Sequence, residues 1–253
     1  MFDSLSNRLL EVLRKKSGFT LAEVLITLAI IGVVAALTIP TLMSNIQTEQ
    51  FRVGLKKSYS TLTQAVNGIY ADNSAIDTST ADNFVNELAT RISIQKTGTW
   101  GVITTLPANF NYHCYKNNSG TCADILKRPN MNGNKAFITN DGVLFIFGND
   151  VWSNNSGLYP NCDGTNWHAK INPADTLGQN NVCASFFVDL NGDKNPNQFG
   201  MDMHYIYIIK QNNTYYVRPA GANINANCAT DLPDNYNGSL HCTQRMLLDM
   251  TMP

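Results

Sequence analysis

Apolar positions are spread unevenly along this chain. Residues 19–39 read FTLAEVLITLAIIGVVAALTI, with Glu23 the only charge. A helix of that length rises roughly 30 Å, the thickness of a bilayer core. No comparable run follows. Past Pro40 the apolar positions become spaced: Phe51, Leu55, Tyr59, Leu62, Val66 and Ile69 recur at steps of three and four, the stripe of an amphipathic helix. Pro40 and Gly54 are natural places for that helix to bend or melt locally, and Asp72-Asn73-Ser74 is expected to end it. Phe84, Val85, Leu88 and Ile92 predict a shorter helix over 81–92. Strand signals then take over. Segments 135–139 and 143–147, joined by Asn140-Asp141-Gly142, read as a hairpin. Segments 184–190, 205–210 and 214–218 add β-rich stretches, with a turn at 211–213. The pattern predicts an α+β fold, a long N-terminal helix packed on an antiparallel sheet. Residues 148–182 carry no readable element.

Composition narrows the classes. The chain has 253 residues, 43% hydrophobic and only 15% charged, with a net charge of −1. That is room for one good-sized domain plus an extension. Disorder needs low hydrophobicity with high charge, and neither holds. A charge near zero gives no basic field to hold nucleic acid. Six cysteines stand at 114, 122, 162, 183, 228 and 242, all beyond the apolar run. None forms a C-x-x-C pair or clusters with histidine as a zinc site would. An even number beyond a membrane segment points to disulfides made in an oxidising compartment. Pairing of neighbours is the simplest connectivity: Cys114 with Cys122, Cys162 with Cys183, Cys228 with Cys242.

The front end carries the most specific signal. Arg8, Arg14, Lys15 and Lys16 precede the apolar run, which orients that end to the cytoplasm and the rest outside it. Glu23 is the anomaly, because an acid inside an apolar helix is costly in lipid and usually has a partner. The stretch Lys15-Lys16-Ser17-Gly18-Phe19-Thr20-Leu21-Ala22-Glu23-Val24-Leu25-Ile26 closely resembles the leader junction of type IV pilins and type II secretion pseudopilins. Pro40 fits the same pattern. The resemblance covers residues 14–45 and implies a scheme. Prepilin peptidase would cut between Gly18 and Phe19 and methylate the new amine of Phe19. Lipid would hold the anchor until an inner-membrane assembly platform passes the subunit to other pilin or pseudopilin subunits. Glu23 would then pair with a neighbouring subunit's N-terminal amine, a register device more than a source of stability.

The implied organisation is a leader over 1–18, a transmembrane and filament-core helix over 19–39, its amphipathic continuation over 40–72 and an extracytoplasmic domain over 73–253. Loss of the leader removes four basic and two acidic side chains, leaving 14 and 17 of the original 18 and 19, a net charge of −3. The bacterial inner membrane and then an extracytoplasmic filament are the implied locations. The rival is a single-pass anchored binding or adhesion domain, which predicts no cleavage at Gly18 and indifference to Glu23→Ala.

Two further features concern chemistry. Asp189-Leu190-Asn191-Gly192-Asp193 alternates oxygen donors, and Asp202 follows. Calcium takes roughly six to eight oxygens, and D-x-N-x-D spacing puts three on one side of a turn. Lys194 and Gly200 break the EF-hand pattern, so the expectation is a structural calcium held by Asp189, Asn191, Asp193 and Asp202, not an EF-hand. The alternative is an Asn/Asp turn held by its own backbone. No catalytic signature stands up: Ser93-Ile94-Gln95-Lys96 and Lys96-Thr97-Gly98 share a lysine, whereas the active site that uses those motifs draws them from separate elements. The expectation is a structural subunit with no catalytic residue, no organic cofactor and no nucleic-acid partner.

Overall fold

The computed structural model describes residues 18–73, 75–105, 134–148, 158–159, 162, 181–198, 200–219 and 242–248. The chain forms two compact units, Met1–Gln47 and Thr48–Pro253. One helix, α1 (Leu21–Asn73), contributes to both. It stays helical through Pro40 and Gly54, so neither residue melts it. At Gly54 burial of the adjacent Leu55 outweighs the low helix propensity, and the Ser58 hydroxyl donates to the Gly54 carbonyl at 2.9 Å.

In the first unit the large apolar side chains of α1 are exposed from Leu21 to Ile46. Among the described residues this is the one helix long and apolar enough to cross a membrane.

The second unit is α+β. A six-stranded sheet runs β1 (Ile94–Thr99), β2 (Lys135–Thr139), β3 (Leu144–Phe147), β4 (Val182–Asp189), β5 (Met203–Gln211) and β6 (Thr214–Pro219), each strand antiparallel to its sequence neighbour. Alternation sorts the faces. Phe137, Phe145, Phe147, Ala184, Phe186, Val188, Ile206, Ile208, Tyr215 and Val217 share one core with Leu55, Leu62, Val66 and Ile69 of α1. The amphipathic stripe read from the sequence is therefore the face that meets the sheet. Leu144, Ile146, Phe187, Tyr207 and Ile209 on the opposite face are buried too, so the central strands are covered on both sides.

The shorter helix α2 (Ala81–Ala89) ends three residues before the expected limit. Thr80 caps it, its hydroxyl accepting the Asn83 N–H at 3.1 Å. Phe84 from this helix stacks on Phe186 at 5.9 Å and meets Phe147 edge-on at 6.0 Å. Two short helices were not expected, α3 (Trp100–Ile103) and α4 (Cys242–Leu247), nor was edge strand β1. Between β5 and β6, Asn212 and Asn213 both take positive φ (48° and 62°), the left-handed pair of a tight hairpin turn. Cys162 and Cys183 are bonded, with S–S 2.01 Å, and Tyr159 N–H donates to the Cys183 carbonyl at 2.9 Å. The expected pairings of Cys114 with Cys122 and Cys228 with Cys242 lie outside the described side chains.

Candidate functional site

Gly18 and Phe19 precede α1 in non-helical backbone, and Phe19 is 88% exposed. A Cβ built on Gly18 would meet nothing within 4 Å. Among the described residues nothing crowds that position, and a residue without a side chain lets an outside group approach the backbone closely.

Thr20 caps the helix, a role beyond those expected from the sequence. Its hydroxyl accepts the Glu23 N–H at 3.2 Å, while Glu23 Oε2 accepts the Thr20 N–H and the Thr20 hydroxyl, each at 2.8 Å. This is a reciprocal capping box, and the Thr-x-x-Glu signal for it was present at Thr20-Leu21-Ala22-Glu23. Glu23 thus has a local partner at the positive end of the helix dipole. Both Thr20 donors engage Oε2, and the Glu23 side chain remains exposed.

The second candidate is the loop from β4 to β5. Its base is closed by Leu190 N–H on the Asp202 carbonyl at 2.9 Å. Gly192, at φ 68°, lets the loop approach the β2–β3 turn, since a Cβ there would come 3.3 Å from the Gly142 carbonyl. Of the four residues expected to hold a cation, Asp189 and Asp202 are brought together and neither has any exposed surface. Burial, then the Asp202 charge, pushes the Asp189 carboxyl well above the usual carboxylate range. Burial likewise raises Asp202, although its oxygens accept N–H groups from Gln198 at 2.6 Å and Asn197 at 2.7 Å.

Asn191 donates its N–H to Asp189 Oδ1 at 3.2 Å and its Nδ2 to the Asn195 carbonyl at 3.1 Å. Asp193 turns one oxygen outward, where Oδ2 accepts from Thr105 N–H at 2.5 Å and the Thr105 hydroxyl at 2.7 Å. Asn197, not among the four expected donors, is 1% exposed at φ 52° in the same loop. His204, also fully buried, has its pKa lowered to about 4 by burial, and its Nε2 lies 2.9 Å from the Met201 carbonyl. Among the described residues, no three His, Cys, Asp or Glu side chains group as a metal site would. Any cation here must draw on amide oxygens as well as carboxylates. Ser93 is exposed just ahead of β1, while Lys96, Thr97 and Gly98 lie in that edge strand.

A helix whose first half is apolar and exposed, joined to an α+β domain, defines a chain with a segment left to be covered by lipid or other helices. Comparison makes the class specific: residues 13–39 match the model of the prokaryotic N-terminal methylation motif. The chain thus carries the prepilin-type cleavage and methylation signal of type IV pilins and pseudopilins. Gly18, Phe19 and Glu23 all fall inside the matched segment. No curated protein and no solved structure matches the chain.

Proposed function

We propose that this chain is a minor pilin or pseudopilin, a non-enzymatic subunit of a type IV pilus or type II secretion-like filament. The observation that carries the reading is the methylation motif at 13–39 lying on the exposed apolar stretch of α1. Prepilin peptidase cuts after Gly18 and methylates Phe19. The anchor survives the cut because the apolar run lies beyond it, and lipid covers it until assembly. Other subunits then replace lipid around the helix, and a contact between unlike faces that does not close extends as a filament. Glu23 has a part in this. Thr20 occupies Oε2, so Oε1 faces the new amine of a neighbouring subunit, and an acid paired with an ammonium offsets two desolvation penalties. The domain beyond residue 73 stands outside the inner membrane.

The mass of the N-terminal peptide, measured on protein from its own membrane, tests this. The expected peptide begins at Phe19 and carries one added methyl group. Glu23→Gln should leave that peptide unchanged and abolish incorporation into filaments. An intact leader in cells with active prepilin peptidase would leave only an anchored domain.

A further inference from the structure

Within the unit Thr48–Pro253, α1, the end of β6 and the end of α4 enclose a cavity of about 420 Å³. Lys56 and Tyr59 line it from α1, Arg218 and Pro219 from β6, and Leu247 and Leu248 from the C-terminal end of α4. That volume falls in the range of small-molecule sites, which combine apolar walls with a few placed polar groups. Leu247 packs on the core, while Leu248 stays 54% exposed. The charge is one-sided. Lys56 and Arg218 are both cationic, and no carboxylate is among the described lining residues. Tyr59 adds no negative charge. Its hydroxyl donates to the Val217 carbonyl at 2.7 Å, and burial raises its pKa, with the Arg218 charge acting the other way.

Arg218 is half-buried, yet its side chain makes no ion pair or hydrogen bond among the described residues. Taking a guanidinium partly out of water without an acid beside it is unfavourable. Its planar fork matches a carboxylate through two parallel hydrogen bonds. A second cavity, of about 340 Å³, makes the contrast. Lys57 and Arg91 line it, but Asp141 holds Lys57 at 2.7 Å and Asp72 holds Arg91. Of the two, the first alone offers a cation that no acid of the described residues neutralises. We propose that this first cavity binds an aliphatic carboxylate, its head on the Arg218 guanidinium and its chain against Pro219, Leu247 and Leu248. Lys56 adds positive charge to the same opening. The volume selects one short chain, since the paired long chains of a phospholipid need far more room. The inference concerns the domain alone and stands whether or not the chain enters a filament.

The full chain, held in phosphatidylcholine nanodiscs, is irradiated with an octanoate that carries a diazirine on its chain, and the adducts are mapped by mass spectrometry. The expected adducts fall on Pro219, Leu247 or Leu248, saturate with probe, and are suppressed by excess octanoate but not by octanol. Arg218→Gln should weaken this labelling at least about tenfold, the scale of a lost charge-assisted pair, while the domain melts as the wild type does. Leu248→Asp, at an exposed position, should also suppress it by setting a negative charge against the carboxylate. Labelling confined to other segments overturns the proposal. So does labelling that octanol suppresses as well as octanoate, or that both variants keep. Suppression by short-chain phosphatidylglycerol and not by octanoate would make the ligand a lipid headgroup and overturn it too.

Discussion

Leu25, Ile31 and Leu37 leave 57%, 63% and 74% of their surface exposed, whereas Leu55, Leu62 and Val66, further along the same helix, leave none. The side-chain chemistry is alike; the pattern is not. Before Gln47 the apolar residues go all round the helix, so no single face can satisfy them. After Thr48 they fall on one stripe, and the sheet covers it. The second half is therefore stabilised by its own chain. The first half depends on lipid or on copies of itself.

The largest test of that contrast pairs two equal truncations. Leu62→Ala removes a fully buried side chain and should cost the domain about 2–5 kcal/mol. Leu25→Ala should leave domain melting unchanged in detergent, because its partners lie outside the chain. Thermal melting of the full chain, followed in the near-UV, reads both. Equal losses would break the contrast. A smaller effect sharpens it: replacing Cys162 and Cys183 together by alanine opens a loop of sequence separation 21, for which chain entropy gives about 3 kcal/mol. That loss should appear in the domain transition and leave the far-UV signal of the apolar half of α1 intact.

What the pattern could reveal follows from the same contrast. The stripe from Phe51 to Ile69 was readable because a helix buried on one side must repeat every three or four residues. The tight turn at Asn212-Asn213 was readable because asparagine tolerates positive φ. Strand β1 was not, since Gln95, Lys96 and Thr97 are exposed and only pairing with β2 makes the segment a strand. Helix α3 rests on one buried residue, Trp100, whose backbone N–H donates to the Asn134 carbonyl at 2.8 Å, a partner set by tertiary structure. The sites divide likewise. Gly18, Phe19 and Glu23 lie in a contiguous motif and could be read directly. Thr20 was legible as a cap but was overshadowed by the unusual acid beside it. Asn197 was not legible: an asparagine after proline reads as a turn, and only the folded loop buries its oxygen.

The smallest test concerns how the second half of α1 is tied at the surface. Lys57 meets the Asp141 carboxylate at 2.7 Å, joining α1 to the β2–β3 turn. Partial burial alone would raise the Asp141 pKa, but the Lys57 ammonium and the Thr139 hydroxyl outweigh it and hold the group below the usual carboxylate range. A depressed carboxyl stabilises the fold above its unfolded pKa, and that contribution is lost as pH falls through the lower folded value. Asp141→Asn should therefore lower stability near neutral pH and have no effect at a pH below the folded pKa, where the wild-type group is already protonated. With Lys57 63% and Asp141 41% exposed, solvent screens the pair and the loss should not exceed about 1 kcal/mol. It should shrink further in high salt. Paired melts of the two proteins across the acid range check the sign. A difference that persists below the folded pKa would mean that Asp141 acts through the shape of the turn, and packing together with the Tyr59 hydroxyl, which donates to the Val217 carbonyl at 2.7 Å, would then hold α1 to the sheet.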